Sequence, residues 1–101
     1  MPKYLISITE VAEQDLAGIV DYIARDNPAA ALKLAESVEQ GILMLEGFPL
    51  TGIIPKNRRL TRQGYRILVV DSYLVFYVLL NNEMVEIRRI IRRKRDYMFL
   101  L

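Results

Sequence analysis

The sequence predicts a two-layer α+β domain in the order β-α-α-β-β-β, with an antiparallel helix hairpin packed on a mainly antiparallel four-stranded sheet. Three observations predict it. Apolar residues alternate near the N-terminus, recur at helical spacing from Ala12 to Leu45, and fill three strand-like segments after Tyr65. The stripe of the helices needs an apolar sheet face to bury it, and the sheet needs a cover. A chain of 101 residues that is 52% apolar is expected to form one domain spanning residues 1–101.

Lys3 to Thr9 alternates, with Tyr4, Ile6 and Ile8 on one side, as in a short strand. Ala12, Leu16, Ile19, Val20 and Ile23 then form a helical stripe. Thr9 is placed as its N-cap, and Glu10 and Glu13 stand in the first turn, where the helix dipole favours acids. Asp26-Asn27-Pro28 stops this helix and starts the next, because Asn caps well and Pro is preset for the first helical position. The second helix is expected from Pro28 to about Glu46, burying Ala31, Leu34, Ala35, Val38, Ile42 and Leu45, with Gly47 and Pro49 as the stop. So short a connection makes the two helices antiparallel neighbours.

Gly47 to Gly64 shows no clean period and reads as a loop, partly extended and cationic, carrying Lys56, Arg58, Arg59 and Arg62. Three strands follow, at Tyr65 to Asp71, Leu74 to Leu80 and Glu83 to about Arg92. Asp71-Ser72 and Asn81-Asn82 separate them, and Asn tolerates the positive φ of tight hairpin turns. The strand from Leu74 is apolar on both faces and should be central. The first strand should pair at one edge of this meander.

Formal net charge is only +2, from 14 basic and 12 acidic residues, so any basic surface must come from segregation. Acids outnumber bases through Asn57, whereas most arginines lie between Arg58 and Arg95. No cysteine is present, which excludes disulfides, thiolate catalysis and thiolate metal ligation. No histidine is present either, so the usual acid/base group near neutral pH and the commonest metal ligand are missing. No metal and no cofactor are therefore expected. No apolar run approaches a membrane span and no signal-like segment opens the chain, so the expectation is a cytoplasmic protein with no membrane partner.

Arg88, Arg89, Arg92, Arg93, Lys94 and Arg95 follow an apolar run and lead into Asp96 and Tyr97. Such density suits a polyanion or an acidic protein segment. Arg66 shares a strand face with Leu68 and Val70, and Arg89 is placed on the face of Val85, Ile87 and Ile91. A charge there must be paired or wet. It either forms an internal ion pair, for instance with Glu86 or Asp71, or lines a site that grips phosphate bidentately. If the substrate were RNA, Tyr97 or Lys94 would be the proton-transfer candidate, because nearby cations favour phenolate, and Arg66, Arg89 and Arg95 would stabilise charge. Tyr97 can equally pack, with Met98, Phe99, Leu100 and Leu101 folding back onto the body.

These segments in their order resemble the toxins of the RelE/ParE superfamily, from type II toxin-antitoxin modules. The resemblance runs through Ala12-Glu13-Gln14-Asp15-Leu16, Tyr22-Ile23-Ala24-Arg25-Asp26-Asn27-Pro28, Leu45-Glu46-Gly47-Phe48-Pro49 with Gly52, Gly64-Tyr65-Arg66, Tyr73-Leu74-Val75-Phe76-Tyr77, Ile87-Arg88-Arg89-Ile90-Ile91 and Arg95-Asp96-Tyr97. It implies a growth-inhibiting toxin in a heteromeric complex with a cognate antitoxin, which would lay a helix over the toxin's helices and an extended acidic segment over its basic surface.

The resemblance leaves the activity open between three classes. A RelE-like ribosome-dependent mRNA endonuclease, the first reading, would use Arg66, Arg95 and Tyr97 as catalytic residues. Lys56, Arg58, Arg59, Arg62, Arg89, Arg92 and Lys94 would then hold nucleic acid, with the ribosome and its mRNA as partner. A ParE-like toxin would instead poison DNA gyrase without being an enzyme, a reading that the Tyr22 to Pro28 turn and the long helix hairpin favour. Arg92 and Arg93 stand where many relatives have histidine and glycine, which motivates a third class, a degenerate toxin that only binds its antitoxin.

Overall fold

Capping side chains set the start of each helix in the computed structural model, which describes residues 3–93. Strand β1 (Leu5–Ile8) leads into α1 (Glu10–Ala24) through Thr9, whose side chain accepts a hydrogen bond from Ala12 N–H. The same hydroxyl donates to Arg88 O at 3.2 Å, tying the start of the helix to the sheet. Asn27 caps α2 (Pro28–Met44) by accepting from Ala30 N–H at 3.0 Å, with Pro28 in the first turn. The second helix stops two residues short of the expected Glu46, and its buried side includes Ala31, Leu34, Val38 and Ile42, followed by Leu45.

The expected loop from Gly47 to Gly64 contains a short helix, α3 (Arg58–Arg62). The Asn57 side chain accepts from Arg59 N–H and Leu60 N–H, and only Leu60 of the five residues is buried. One apolar residue cannot make a period, which is why patterning reads this turn as irregular. Gly64 leaves it at φ 83, a left-handed conformation that glycine adopts without strain.

The remaining strands are β2 (Tyr65–Val70), β3 (Tyr73–Leu80) and β4 (Met84–Arg92), joined by turns in which Asp71, Asn81 and Asn82 take positive φ. The strand order is β1-β4-β3-β2. β1 runs parallel to β4 at one edge, while β2, β3 and β4 form the antiparallel meander. β3 is therefore central, as its two apolar faces require.

The sheet separates two apolar clusters. On the hairpin side Leu34, Val38, Ile42 and Leu45 meet Leu68, Val75, Tyr77, Val85, Ile87 and Ile90. On the other side Leu60 of α3 meets Tyr65, Ile67, Leu74, Phe76, Val78 and Ile91. A register shift in β4 explains a departure from simple alternation: Tyr77 pairs with Ile87 but Phe76 pairs with Arg89, so Arg88 is the extra residue of a bulge. The bulge re-phases the strand, putting Ile90 in the hairpin-side cluster and Ile91 in the opposite one, rather than Ile91 beside Val85 and Ile87. Ile8, on the same side of the alternation as Tyr4 and Ile6, is exposed at the end of β1. Among the described residues no helix is long and apolar enough to cross a membrane.

Candidate functional site

Arg66 and Tyr77 are direct cross-strand partners on β2 and β3, and both reach the segment that follows α2. Tyr77 Oη donates to Pro49 O at 2.6 Å and accepts from Gly52 N–H at 2.9 Å. Arg66 Nη1 donates to Gly52 O at 2.9 Å and to Leu50 O at 3.3 Å. A Cβ on Gly52 would lie 2.5 Å from Tyr77 Oη, so only glycine lets the backbone approach this closely. Burial pushes the Tyr77 pKa up, opposed in part by the Gly52 N–H and the Arg66 charge. Tyr77 thus stays a neutral phenol that grips backbone. Ile53 completes the anchoring through a two-hydrogen-bond bridge to Ile67 on the outer side of β2.

Arg89 has a different fate from either internal partner that the sequence suggests. Its Nε and Nη2 donate to the two carboxylate oxygens of Asp15 on α1, at 2.8 and 3.1 Å. Asp15 Oδ2 also accepts from Ile90 N–H at 3.0 Å, serving the edge of β4 beyond the last residue of β1. The hydrogen bonds and charge of Asp15 hold the Arg89 pKa above its ordinary value. Glu86 belongs instead to Arg88, whose Nε lies 2.8 Å from Glu86 Oε1 and whose guanidinium stands 5.5 Å from the centroid of the Tyr65 ring.

The remaining described cations face solvent. Lys56, Arg58, Arg59 and Arg62 are exposed in and before α3, and Arg92 is exposed at the end of β4. Lys94, Arg95 and Tyr97, together with the expected fold-back of Met98 to Leu101, lie outside the described residues. Of the set read from sequence, Arg66 and Arg89 are thus directed at protein groups, and α3 gathers three cations on one turn. Among the described residues no cluster of acids is arranged to hold a metal ion.

Patterning missed Tyr77, Gly52 and Asp15. Tyr77 carried one usable signal, a hydroxyl in the middle of the otherwise apolar run from Leu74 to Leu80, since a buried phenol must find a hydrogen-bond partner. Asp15 gave none, because one carboxylate on a helix is ordinarily solvated.

Two open grooves lie at opposite ends of β3. One, of about 500 Å³, runs between α1 and the end of the sheet, bordered by Asp15, Ile19, Tyr22, Tyr73 and Arg92. The other, of about 470 Å³, is bordered by Tyr4, Phe48, Leu50, Leu79 and Asn82.

Residues 6–97 match the family described as the ParE toxin of the type II toxin-antitoxin system parDE. The chain belongs to this family. Among solved structures, this ParE-family toxin is similar to the chromosomal ParDE system of P. aeruginosa, with a TM-score of 0.75 at 20% identity over 89% of this chain and 96% of that one. It is also similar to the toxin-antitoxin complex RelBE2 of Mycobacterium tuberculosis, with a TM-score of 0.62 at 19% identity over 90% and 99%. At such identities the likeness is one of fold. No curated protein matches by sequence. The family assignment agrees with the architecture and makes the chain a toxin of a type II module.

Proposed function

We infer that this ParE-family toxin inhibits growth by poisoning DNA gyrase as a non-enzymatic protein ligand. The observation that carries this reading is the state of the sheet arginines. Arg66 is directed at the carbonyls of Leu50 and Gly52, and Arg89 is locked in a bidentate pair with Asp15. A phosphate gripping the Nε–Nη2 edge of Arg89 would have to displace Asp15, and breaking that partly buried pair would leave a carboxylate without its counter-charge, while Arg66 already directs Nη1 at two backbone carbonyls. The chain also has no histidine to move a proton near neutral pH. Both facts favour binding over RNA cleavage.

The cognate antitoxin is the second partner. The groove between α1 and the end of β4 offers Ile19, Tyr22 and Tyr73 beside the exposed Arg92. That combination suits a segment that brings apolar side chains and a carboxylate.

The RelE-like reading, cleavage of mRNA on the ribosome, draws its support from the exposed cations Lys56, Arg58, Arg59 and Arg62. Purified components separate the two readings. Added to gyrase with relaxed plasmid and ATP, the toxin is expected to block supercoiling and trap cleaved DNA, while message on translating ribosomes stays intact. Cut message with unimpaired gyrase would reverse the assignment.

A further inference from the structure

Phe48, Leu50, Ile53 and Ile54 are apolar side chains within seven consecutive residues, and they are 67%, 63%, 59% and 59% exposed. Nothing about the local backbone is loose. Tyr77 holds Pro49 and Gly52, Arg66 holds Leu50 and Gly52, and the Ile53–Ile67 bridge fixes the far end. A buried phenol and an arginine thus fasten the main chain of a segment whose large side chains face water. Holding such a segment in one conformation removes an ordering cost that binding would otherwise meet.

We propose that this segment, with the cations of α3, is the surface by which the toxin docks on its target, and that it fits an acidic protein surface containing apolar pockets. The proposal rests on the gyrase reading above and names the face of the toxin that carries it out.

Charge identifies the partner. From Gly47 to Val70 there is no carboxylate, whereas Lys56, Arg58, Arg59, Arg62 and Arg66 all fall in that stretch. The segment is therefore apolar and cationic with no acid of its own, which complements carboxylates around apolar pockets. A second copy of the same surface would set cations against cations. Nucleic acid would use the arginines and stack a base on Phe48, but it would leave the aliphatic Leu50, Ile53 and Ile54 without a role, since phosphates contact charges and donors. An exposed apolar patch rimmed by charge marks a protein-interaction surface, and aromatic residues and arginine are enriched in such interfaces. The groove beside Phe48 and Leu50, which also touches Leu79 and Tyr4, gives a partner side chain somewhere to enter. It lies at the other end of β3 from the groove assigned to the antitoxin, so the two partners need not share a site.

The test uses the full-length toxin and purified gyrase holoenzyme in a supercoiling assay. The double variant Phe48→Glu/Ile54→Glu changes only exposed side chains, and its thermal midpoint is measured alongside to show that the fold is kept. It is expected to need at least ten-fold more protein for half-inhibition than the wild type. Arg58→Glu/Arg62→Glu is expected to lose potency similarly, and Leu32→Glu, an exposed change on α2, to lose none. Wild-type inhibition that persists unchanged in the Phe48/Ile54 variant overturns the docking surface and leaves the gyrase reading standing. Wild-type protein that fails to inhibit gyrase overturns both. Loss of potency confined to the arginine variant, with a parallel loss of plasmid binding in a gel-shift assay, makes α3 a nucleic-acid contact and overturns the proposal. So does a loop variant that inhibits fully but is no longer held by the antitoxin.

Discussion

Arg66 and Tyr77 face each other across β2 and β3 and close on the same stretch of backbone, Pro49 to Gly52. Arg66, which the sequence leaves open between an internal pairing and a grip on phosphate, is directed at two carbonyls. With the neutral phenol beside it, it turns an irregular connection into a fixed part of the structure.

Removing the Tyr77 hydroxyl leaves Gly52 N–H and Pro49 O without their buried partner. Tyr77→Phe is therefore expected to lose about 1–3 kcal/mol of stability, read by urea denaturation, and to increase proteolytic cutting between Phe48 and Ile54.

The alkaline limb tests the same contact. The folded Tyr77 pKa is raised from 10.0, so its contribution is fully present below pH 10 and is lost as pH climbs through the raised folded value. The stability difference between wild type and Tyr77→Phe should hold constant from neutral pH to about 10 and shrink above it. A difference that grows with alkali would contradict the assigned protonation state.

Gly52→Ala introduces a Cβ 2.5 Å from the Tyr77 hydroxyl and 2.7 Å from its ring. The ring is fully buried and cannot swing aside, so a loss of about 1–3 kcal/mol follows, with the segment displaced. In Tyr77→Ala, already destabilised by its cavity, the same glycine change should cost much less. Additive effects would mean that the steric conflict is not what reserves the position for glycine.

Asp15→Ala removes the carboxylate that serves the Arg89 guanidinium and the Ile90 N–H together. A loss of about 2 kcal/mol is expected, within the range for hydrogen bonds to charged groups in a partly buried setting. A double-mutant cycle with Arg89→Ala should give a coupling of about 1 kcal/mol or more. If Arg89 instead served a ligand alone, Arg89→Ala would leave the thermal midpoint unchanged.

The N-cap of α3 offers a smaller test. Asn57→Ala removes the acceptor of two backbone N–H groups and should cost about 1 kcal/mol, measured as a lowered midpoint.

The layers of this fold are legible in the sequence because each long element carries a repeated signal. Thr9 and Asn27 announce the helices as caps, Pro28 fixes the start of α2, and the two-faced run from Leu74 to Leu80 marks the central strand. The candidate site was harder to read, because single contacts between distant residues decide it. Asp15 and Arg89 are 74 positions apart and Tyr77 and Gly52 are 25 apart, and no period links either pair. The β4 bulge added a specific error, since one extra residue at Arg88 reverses the face of everything after it. The short helix α3 escaped notice because Leu60 alone represents its buried side.

Pulse labelling of DNA and protein synthesis after toxin induction tests the central claim most directly. Gyrase poisoning predicts that DNA synthesis falls first, with an SOS response, while amino-acid incorporation continues. Collapse of protein synthesis with DNA synthesis still running would contradict it and return the toxin to the ribosome.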